Sequence, residues 1–572
     1  MRISHVNYRG FRSLQNVGVN LVSYNTLIGK NDSGKSSFLH ALQILFDPDT
    51  TPAPDDICAI EGHDGECMIE ATIEDCGHEL AENGTLSIRK SINQGLQYKC
   101  KVPTNDLVRQ MFEGTYLRGS LNQLPDNIKD FIREEVDNVS DGGRLSPEEA
   151  KELFRRLSET NLVEYGDGWT ALDPQVLDSI IQVVFLTANM RGEEELQDNR
   201  TSILTKVGGQ LLREATDGDA GIAGALENLD AQIQRVTQKD GEGAWVFPRL
   251  NRFEEILEEE IHRFDEGVTS ESHIVGPRLP RVDFSIGVDI RDECVKGLDH
   301  MGHGLRRSVV FAMLRTYKRL KQEIPRAADA PEPPLYLFLI EEPELYLHPQ
   351  AERRRMIELR DLADDENAQV VLCTHSAMFV NLNDYKGIHR FERSGRQATN
   401  VIGWTGPDAG ADVAEALSLI WRTNLYRSAM VFADLVILVE GVSEQAAIPH
   451  VARKMGLTRP DHEVEVVSCD GNSNIPPIQT ILEGLRIKYV AWLDNENKDD
   501  KAEVEKAKKI RTQDIGRIVT TDLNWEKMNG LTAGSENKIY KSWKYFIQDD
   551  KDPNDKLQER MTAAYNWEDF GI

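Results

Sequence analysis

Four carboxylates stand at the ends of two short apolar runs. LVILVEGVSEQ (435–445) leads into Glu440 and Glu444, and AWLDNEN (491–497) leads into Asp494 and Glu496. Runs of this length and composition are buried strands, so each delivers acidic side chains to a strand end. Acids gathered there suit a hard divalent cation, because Mg²⁺ takes a few carboxylate oxygens and keeps several of its waters. Gly441 follows Glu440 directly. A glycine is expected there if the chain turns beside a metal too tightly for a Cβ.

A second group of residues is built for phosphate. Gly29-Lys30-Asn31-Asp32-Ser33-Gly34-Lys35-Ser36 fits the pattern G-x-x-x-x-G-K-[ST]. It lies between the apolar run 24–28 and a helical pattern of Phe38, Leu39, Leu42, Leu45 and Phe46. In that strand–loop–helix setting Gly29 and Gly34 let the backbone wrap the phosphates of a nucleotide, with Asn31 and Ser37 beside them. Lys35 is expected on the β- and γ-phosphates, and the Ser36 hydroxyl on Mg²⁺. Two further apolar runs end in reactive groups. LYLFLI (335–340) brings Glu341 and Glu342 to the C-terminal end of a strand, where open α/β sheets bind ligands. Glu341 is expected to orient the water shell of Mg²⁺, and Glu342 to activate the attacking water. VVLCTHS (370–376) ends with His375, a candidate for the γ-phosphate.

These three pieces, in this order, resemble the ATPase head of the ABC class, shared with SMC and RecF-type DNA-repair proteins. The resemblance implies a D-loop at 343–349 and makes His375 the switch histidine. HMGHGLRR (300–307) stands where the signature motif belongs; it keeps two glycines and lacks the leading Ser of LSGGQ. Heads of this class sandwich ATP between P-loop and signature motif, which implies a homodimer or a higher homo-oligomer.

The segment 431–530 alternates strand and helix on its own and resembles the Toprim domain of topoisomerases, primases and some nucleases. An ABC-type head followed by such a domain is similar to the OLD (overcoming lysogenisation defect) family of ATP-dependent nucleases. The resemblance implies that Glu440, Glu444, Asp494 and Glu496 hold Mg²⁺, or Mn²⁺ in its place, and cut double-stranded DNA by metal-assisted hydrolysis. Glu496 stands where the family has Asp. The later acidic ligand falls to Asp522 or Glu526, and the catalytic lysine to Lys538, Lys541 or Lys544. Antiphage relatives, the large subunit of the Gabija system and OLD-type retron effectors among them, imply a defence role. They also imply a partner such as a helicase, or a reverse transcriptase with structured RNA.

The elements that position these groups follow from the rest of the chain. The expected fold is α/β: an ABC/SMC-like P-loop head with a helical dimerisation insertion, then a Rossmann-like Toprim domain. Residues 1–190 form the first part of the head, and the charged helical stretch 191–278 is a dimerisation arm or an ordinary helical subdomain. Residues 279–392 complete the head, 393–429 link, and 430–572 form the Toprim domain. At 572 residues several domains are required. A net charge of −29 excludes a surface that binds nucleic acid throughout, though not a local basic track beside a metal site. Arg353-Arg354-Arg355 and Lys508-Lys509-Ile510-Arg511 read as solvated helix faces. Cys58, Cys67 and Cys76 recur every nine residues but fit no zinc template, and read as reduced, partly buried thiols. No apolar run is long enough to span a bilayer and no signal peptide is recognised, so a cytoplasmic protein without membrane partners is expected. The competing function is a non-nucleolytic SMC/RecF-like ATPase that binds DNA or a partner, its Toprim fold serving as scaffold.

Overall fold

The computed structural model describes residues 1–47, 66–91, 95–104, 165–188, 334–345, 347–393, 397–406, 425–495, 498–512, 514–521, 525–531, 542–548 and 551–566, with a few shorter stretches between them. The chain divides into two compact units, Met1–Ala188 with Ala327–Ile572, and Asn189–Arg326. The second unit, which includes the expected helical insertion and the 300–307 motif, lies outside the described residues, as do Glu496, Asp522, Lys538 and Lys541.

Among the described residues, two sheets and the helices packed on them make the head. Strands β1 (Arg2–Phe11) and β2 (Leu14–Asn20) form a hairpin; β3 (Tyr24–Gly29) then leads through the glycine loop into helix α1 (Lys35–Phe46). Strands β4 (Met68–Glu74), β5 (Leu86–Ser91), β6 (Gly95–Pro103) and β7 (Tyr165–Ala171) extend the hairpin into an antiparallel sheet of order β2-β1-β4-β5-β6-β7. The alternating burial along β4, with Ile69, Ala71 and Ile73 inward, is the pattern of a sheet with one face on a core.

Helix α2 (Pro174–Ile180) leads into β8 (Ile181–Leu186), and β9 (Leu335–Glu341) precedes helix α3 (Pro349–Ala363). With β10 (Ala368–Cys373), β11 (Ile388–Glu392) and β12 (Asn400–Ile402) these strands form a second sheet, β12-β11-β3-β10-β9-β8, parallel except for β12. Phe38, Leu39, Leu42 and Leu45 of α1 are fully buried in one cluster with residues of both sheets. The buried Lys90 ammonium donates to the carbonyls of Ile44 (2.8 Å), Asp47 (3.2 Å) and Thr50 (2.7 Å), closing the C-terminal end of α1.

The last sheet is all parallel. Strands β13 (Leu435–Val439), β14 (Val464–Ser468), β15 (Tyr489–Asp494) and β16 (Gly516–Thr521) are ordered β14-β13-β15-β16. The two central strands are buried on both faces, hence their continuous apolar sequence. One face packs on helices α4 (Val442–Lys454) and α8 (Asp555–Ala564), the latter following α5 (Ile475–Gly484), α6 (Lys498–Ile510) and the short α7 (Trp525–Met528). The other face carries α5 and α6 and continues into the head, where Ile28, Val380, Leu382, Tyr385 and Ile388 share a core with Met430, Val436, Leu438 and Leu485. At the rim of this seam Lys30 of the glycine loop pairs with Asp434 at 3.2 Å.

Arg355 departs from the expected solvated face. It is 5% exposed and pairs with Glu358 on the same helix, while Arg353 and Arg354 are exposed. Cys58, Cys67, Cys76, Cys373 and Cys469 are free and buried. No described helix is long and apolar enough to cross a membrane.

Candidate functional site

Because β3, β10 and β9 are neighbours and parallel, their C-terminal ends bring the glycine loop, His375 and the Glu341–Glu342 pair to one edge. The loop itself is dictated by glycine. Gly29 (φ 145°) and Gly34 (φ 104°) both lie in the left-handed region. A Cβ on Gly29 would sit 2.2 Å from the Phe391 carbonyl, and one on Gly34 2.6 Å from the Thr399 hydroxyl. The resulting pocket, about 1260 Å³, is lined by Asn31, Lys35, Ser36, Ser37, Glu342 and His375 among others. Lys35 Nζ donates to the carbonyls of Gly29 (2.7 Å) and Lys30 (2.9 Å), and burial lowers its pKa. Binding a phosphate there replaces those carbonyls with anionic oxygens, which restores a full countercharge to the ammonium.

The two expected acids separate. Glu342 lines the pocket with a left-handed backbone (φ 43°) that turns the chain away from the strand. Glu341 accepts the backbone N–H of Ala188 at 3.1 Å, just past the end of β8. Burial first, then the nearby Lys35 charge, lowers the pKa of His375, against the opposing charge of Glu342. The loop that carries it is held by Glu344, whose carboxylate accepts from the Thr374 hydroxyl (2.8 Å) and the His375 N–H (2.7 Å). Sequence reasoning passed over Glu344, Arg12 and Arg393. The last two line the pocket from elements with no phosphate-binding pattern of their own.

The second site lies at the C-terminal edge of the parallel four-stranded sheet. Glu440 follows β13 and Asp494 ends β15, and these strands are adjacent. The Glu440 carboxyl stands close enough to Asp494 to act on its ionisation. Burial first, then the Glu440 carboxyl, pushes Asp494 far above the usual carboxylate range, while the Thr521 hydroxyl, donating at 2.9 Å, opposes the shift. The Gly471 N–H donates to the Glu440 carbonyl at 2.8 Å. Glu444, in the first turn of α4, is buried.

Gly441 does not turn as expected. Its backbone is extended (φ −140°, ψ 175°), and an added Cβ would meet only the Glu444 carboxylate, at 3.3 Å. Room for that carboxylate, rather than a special dihedral, is what the small residue provides.

These donors suit a divalent ion. A cation can bridge the two carboxyl groups, and the buried Asn472 carbonyl oxygen has no hydrogen-bond partner among the described residues. The Asn472 amide donates to Asp500 at 3.3 Å, and the Asp500 charge is felt by Asp494; neither residue was expected here. Among the described residues no three acidic, imidazole or thiol groups converge closely enough to enclose an ion by themselves. Glu526 lies on α7, and Lys544 is exposed on the turn Trp543–Gln548.

A P-loop sheet tipped with paired glutamates and a histidine, joined to a parallel sheet with facing carboxylates, defines the class: an ABC/SMC-like ATPase head with a C-terminal Toprim domain. Residues 1–380 match the family model described as AAA ATPase domain, and the chain belongs to that family. Residues 431–495 match the model of the overcoming-lysogenization-defect-like Toprim domain.

Relatives of the chain are named as nucleases. The OLD nuclease of Thermus scotoductus is 26% identical over 263 residues, which are 42% of this chain and 48% of the relative, so the match spans about half that protein's length. The Old nuclease of Escherichia phage P2 is 20% identical over 85% of this chain and 76% of its own. Endonuclease GajA of Bacillus cereus is 21% identical over 88% of this chain and 76% of its own.

Proposed function

We propose that this protein is a DNA endonuclease whose Toprim site hydrolyses phosphodiester bonds under the control of the ATPase head. The observation that carries the reading is the Glu440–Asp494 pair, two carboxyl groups brought together at the ends of neighbouring parallel strands, where a divalent cation can sit between them. The names of the relatives agree with it.

In this reading Glu440, Glu444, Asp494 and Glu496 hold Mg²⁺ or Mn²⁺, which supplies Lewis-acid polarisation of the phosphodiester. Thr521 fixes one oxygen of Asp494, and the Gly471 N–H fixes the backbone at Glu440, so both carboxylates are presented without reorganisation. In the head Lys35 and Ser36 take the phosphates and Mg²⁺, Glu341 orients the water shell of that ion, and Glu342 activates water. His375 would donate a ring N–H to the γ-phosphate. The reading further includes assembly as a homodimer or higher homo-oligomer, cytoplasmic residence and antiphage defence.

The deciding experiment incubates the protein with plasmid DNA and Mg²⁺ or Mn²⁺, with and without ATP. Nicking or cutting is expected, falling by about three orders of magnitude or more in Glu440→Gln and Asp494→Asn. Lys35→Ala should lose ATP binding and keep metal-dependent cleavage. Cutting by Glu440→Gln at the wild-type rate would sink the assignment.

A further inference from the structure

The segment that enters the Toprim domain touches both sites at once. It is the 3-10 helix Leu425–Phe432. On one side Ser428, fully buried, donates its hydroxyl to the carbonyl of Val380 at 2.9 Å. Val380 closes the 3-10 turn Ala377–Phe379, which begins at Ser376, the residue after His375. On the other side the neighbouring residue, Arg427, sends its guanidinium to the carboxylate of Asp470.

Asp470 belongs to the loop that follows β14. It has a left-handed backbone (φ 56°), the Ser468 hydroxyl lies 3.3 Å from it, and the next residue, Gly471, gives its N–H to the Glu440 carbonyl. Two adjacent side chains of one short helix therefore span the distance from the histidine loop of the ATPase to the backbone of the metal-binding Glu440.

The burial is lopsided. The Arg427 side chain is 7% exposed and that of Asp470 56%, and the Arg427 Nε has no partner. A buried guanidinium that loses its one carboxylate is strongly disfavoured, so the Asp470 loop must follow wherever the 3-10 helix carries Arg427. The helix in turn is tied to the histidine loop by Ser428. Since protein cores rearrange between discrete packings rather than deforming smoothly, a shift of the 376–380 turn is passed on rather than absorbed.

We infer that Arg427 is a positioning residue of the nuclease site, through which the nucleotide state sensed at His375 sets the placement of Glu440. The inference rests on the proposed division of labour between an ATP site and a Toprim site. It adds the physical connection between them.

Hydrogen exchange of the full-length protein tests it, with ATP added at constant Mg²⁺. In the wild type, ATP should slow exchange in the peptide covering the glycine loop and change it across 468–474 by about fivefold or more. In Arg427→Met the glycine-loop response should remain and the 468–474 response should vanish; Arg427→Lys should recover part of it. Ser428→Ala, a milder change, should weaken the same response if Arg427→Met fails to fold. A 468–474 response that is unchanged in the variants, or absent in the wild type while the glycine loop is protected, overturns the inference. Plasmid cleavage is scored on the same samples. No cleavage with the exchange response intact removes the nuclease reading and leaves the connection standing.

Discussion

Asp494 and Glu440 set two carboxyl groups side by side at the ends of neighbouring strands. Folding raises the pKa of Asp494, so the native state keeps a proton that the unfolded chain has already released above the ordinary carboxylate range. The stability this acid contributes is therefore complete at low pH and is lost as pH rises toward neutrality and beyond. Metal binding runs the other way, because the cation competes with the proton and gains affinity across the same window. The expected outcome is that Asp494→Asn raises the melting temperature of the metal-free protein at pH 8 by a few degrees, changes it little at pH 5, and abolishes the stabilisation given by Mn²⁺. Scanning calorimetry at the two pH values, with EDTA or Mn²⁺, checks it. Lower stability of Asp494→Asn at pH 8 would mean that the pair is not strained. The acids of this site were legible because each closes an apolar run. Thr521, Asn472 and Arg427 were not: Thr521 meets Asp494, Asn472 meets Asp500 and Arg427 meets Asp470 only once the chain has folded, and nothing in their own neighbourhoods marks them.

At the scale of elements, α1 depends on a lysine from the opposite sheet. Three carbonyls at or just past its C-terminal end accept from Lys90, a burial that no helix-end pattern near residue 46 announces. Replacing Lys90 with Met keeps the aliphatic stem and strips three charge-assisted hydrogen bonds, at a cost of about 2–3 kcal/mol. Because the other end of α1 forms the phosphate loop, nucleotide affinity should fall along with stability. Urea denaturation and a fluorescent-nucleotide titration read the two effects, and a stability change below about 0.5 kcal/mol would show the carbonyls to be satisfied by water. Strands were the most legible elements. β13 is apolar throughout, and β9, β10 and β15 are so but for Glu341, Gln369 and Asp494, because both their faces are covered, whereas β4 and β5 declare one buried face by alternation.

At the scale of the molecule, the ATPase sheet and the Toprim sheet share a core rather than a polar interface. Leu382, fully buried, comes from the head and packs in the same cluster as Leu438 and Leu485. Thr405 N donates to the Gly484 carbonyl at 3.0 Å, and Trp404 packs against Tyr385 with ring centroids 4.3 Å apart and the planes tilted by 56°, so the seam is also keyed by shape. Leu382→Ala should cost about 2–5 kcal/mol. It should lower the unfolding of head and Toprim together, seen as coincident shifts in nucleotide-protected and metal-protected transitions. Separate melting of the two, with only one displaced, would contradict a common core. The two modules were legible from their motifs; the seam was not, since its residues belong to unrelated apolar runs whose pairing depends on tertiary placement alone.

That shared core bears on how such a protein can change over generations. A nuclease module joined by a linker can be exchanged between lineages or lost without harm to its neighbour. Here a Toprim domain from elsewhere would arrive with the wrong shapes opposite Ile28, Val380 and Tyr385, and would leave the underside of the ATPase sheet uncovered. Substitutions on either side of the seam are thus selected for fit to one another, and recombination that keeps both partners is favoured over recombination that splits them. Chimaeras between relatives should fold when one parent supplies both Ile28 and residues 380–488, and aggregate when these come from different parents.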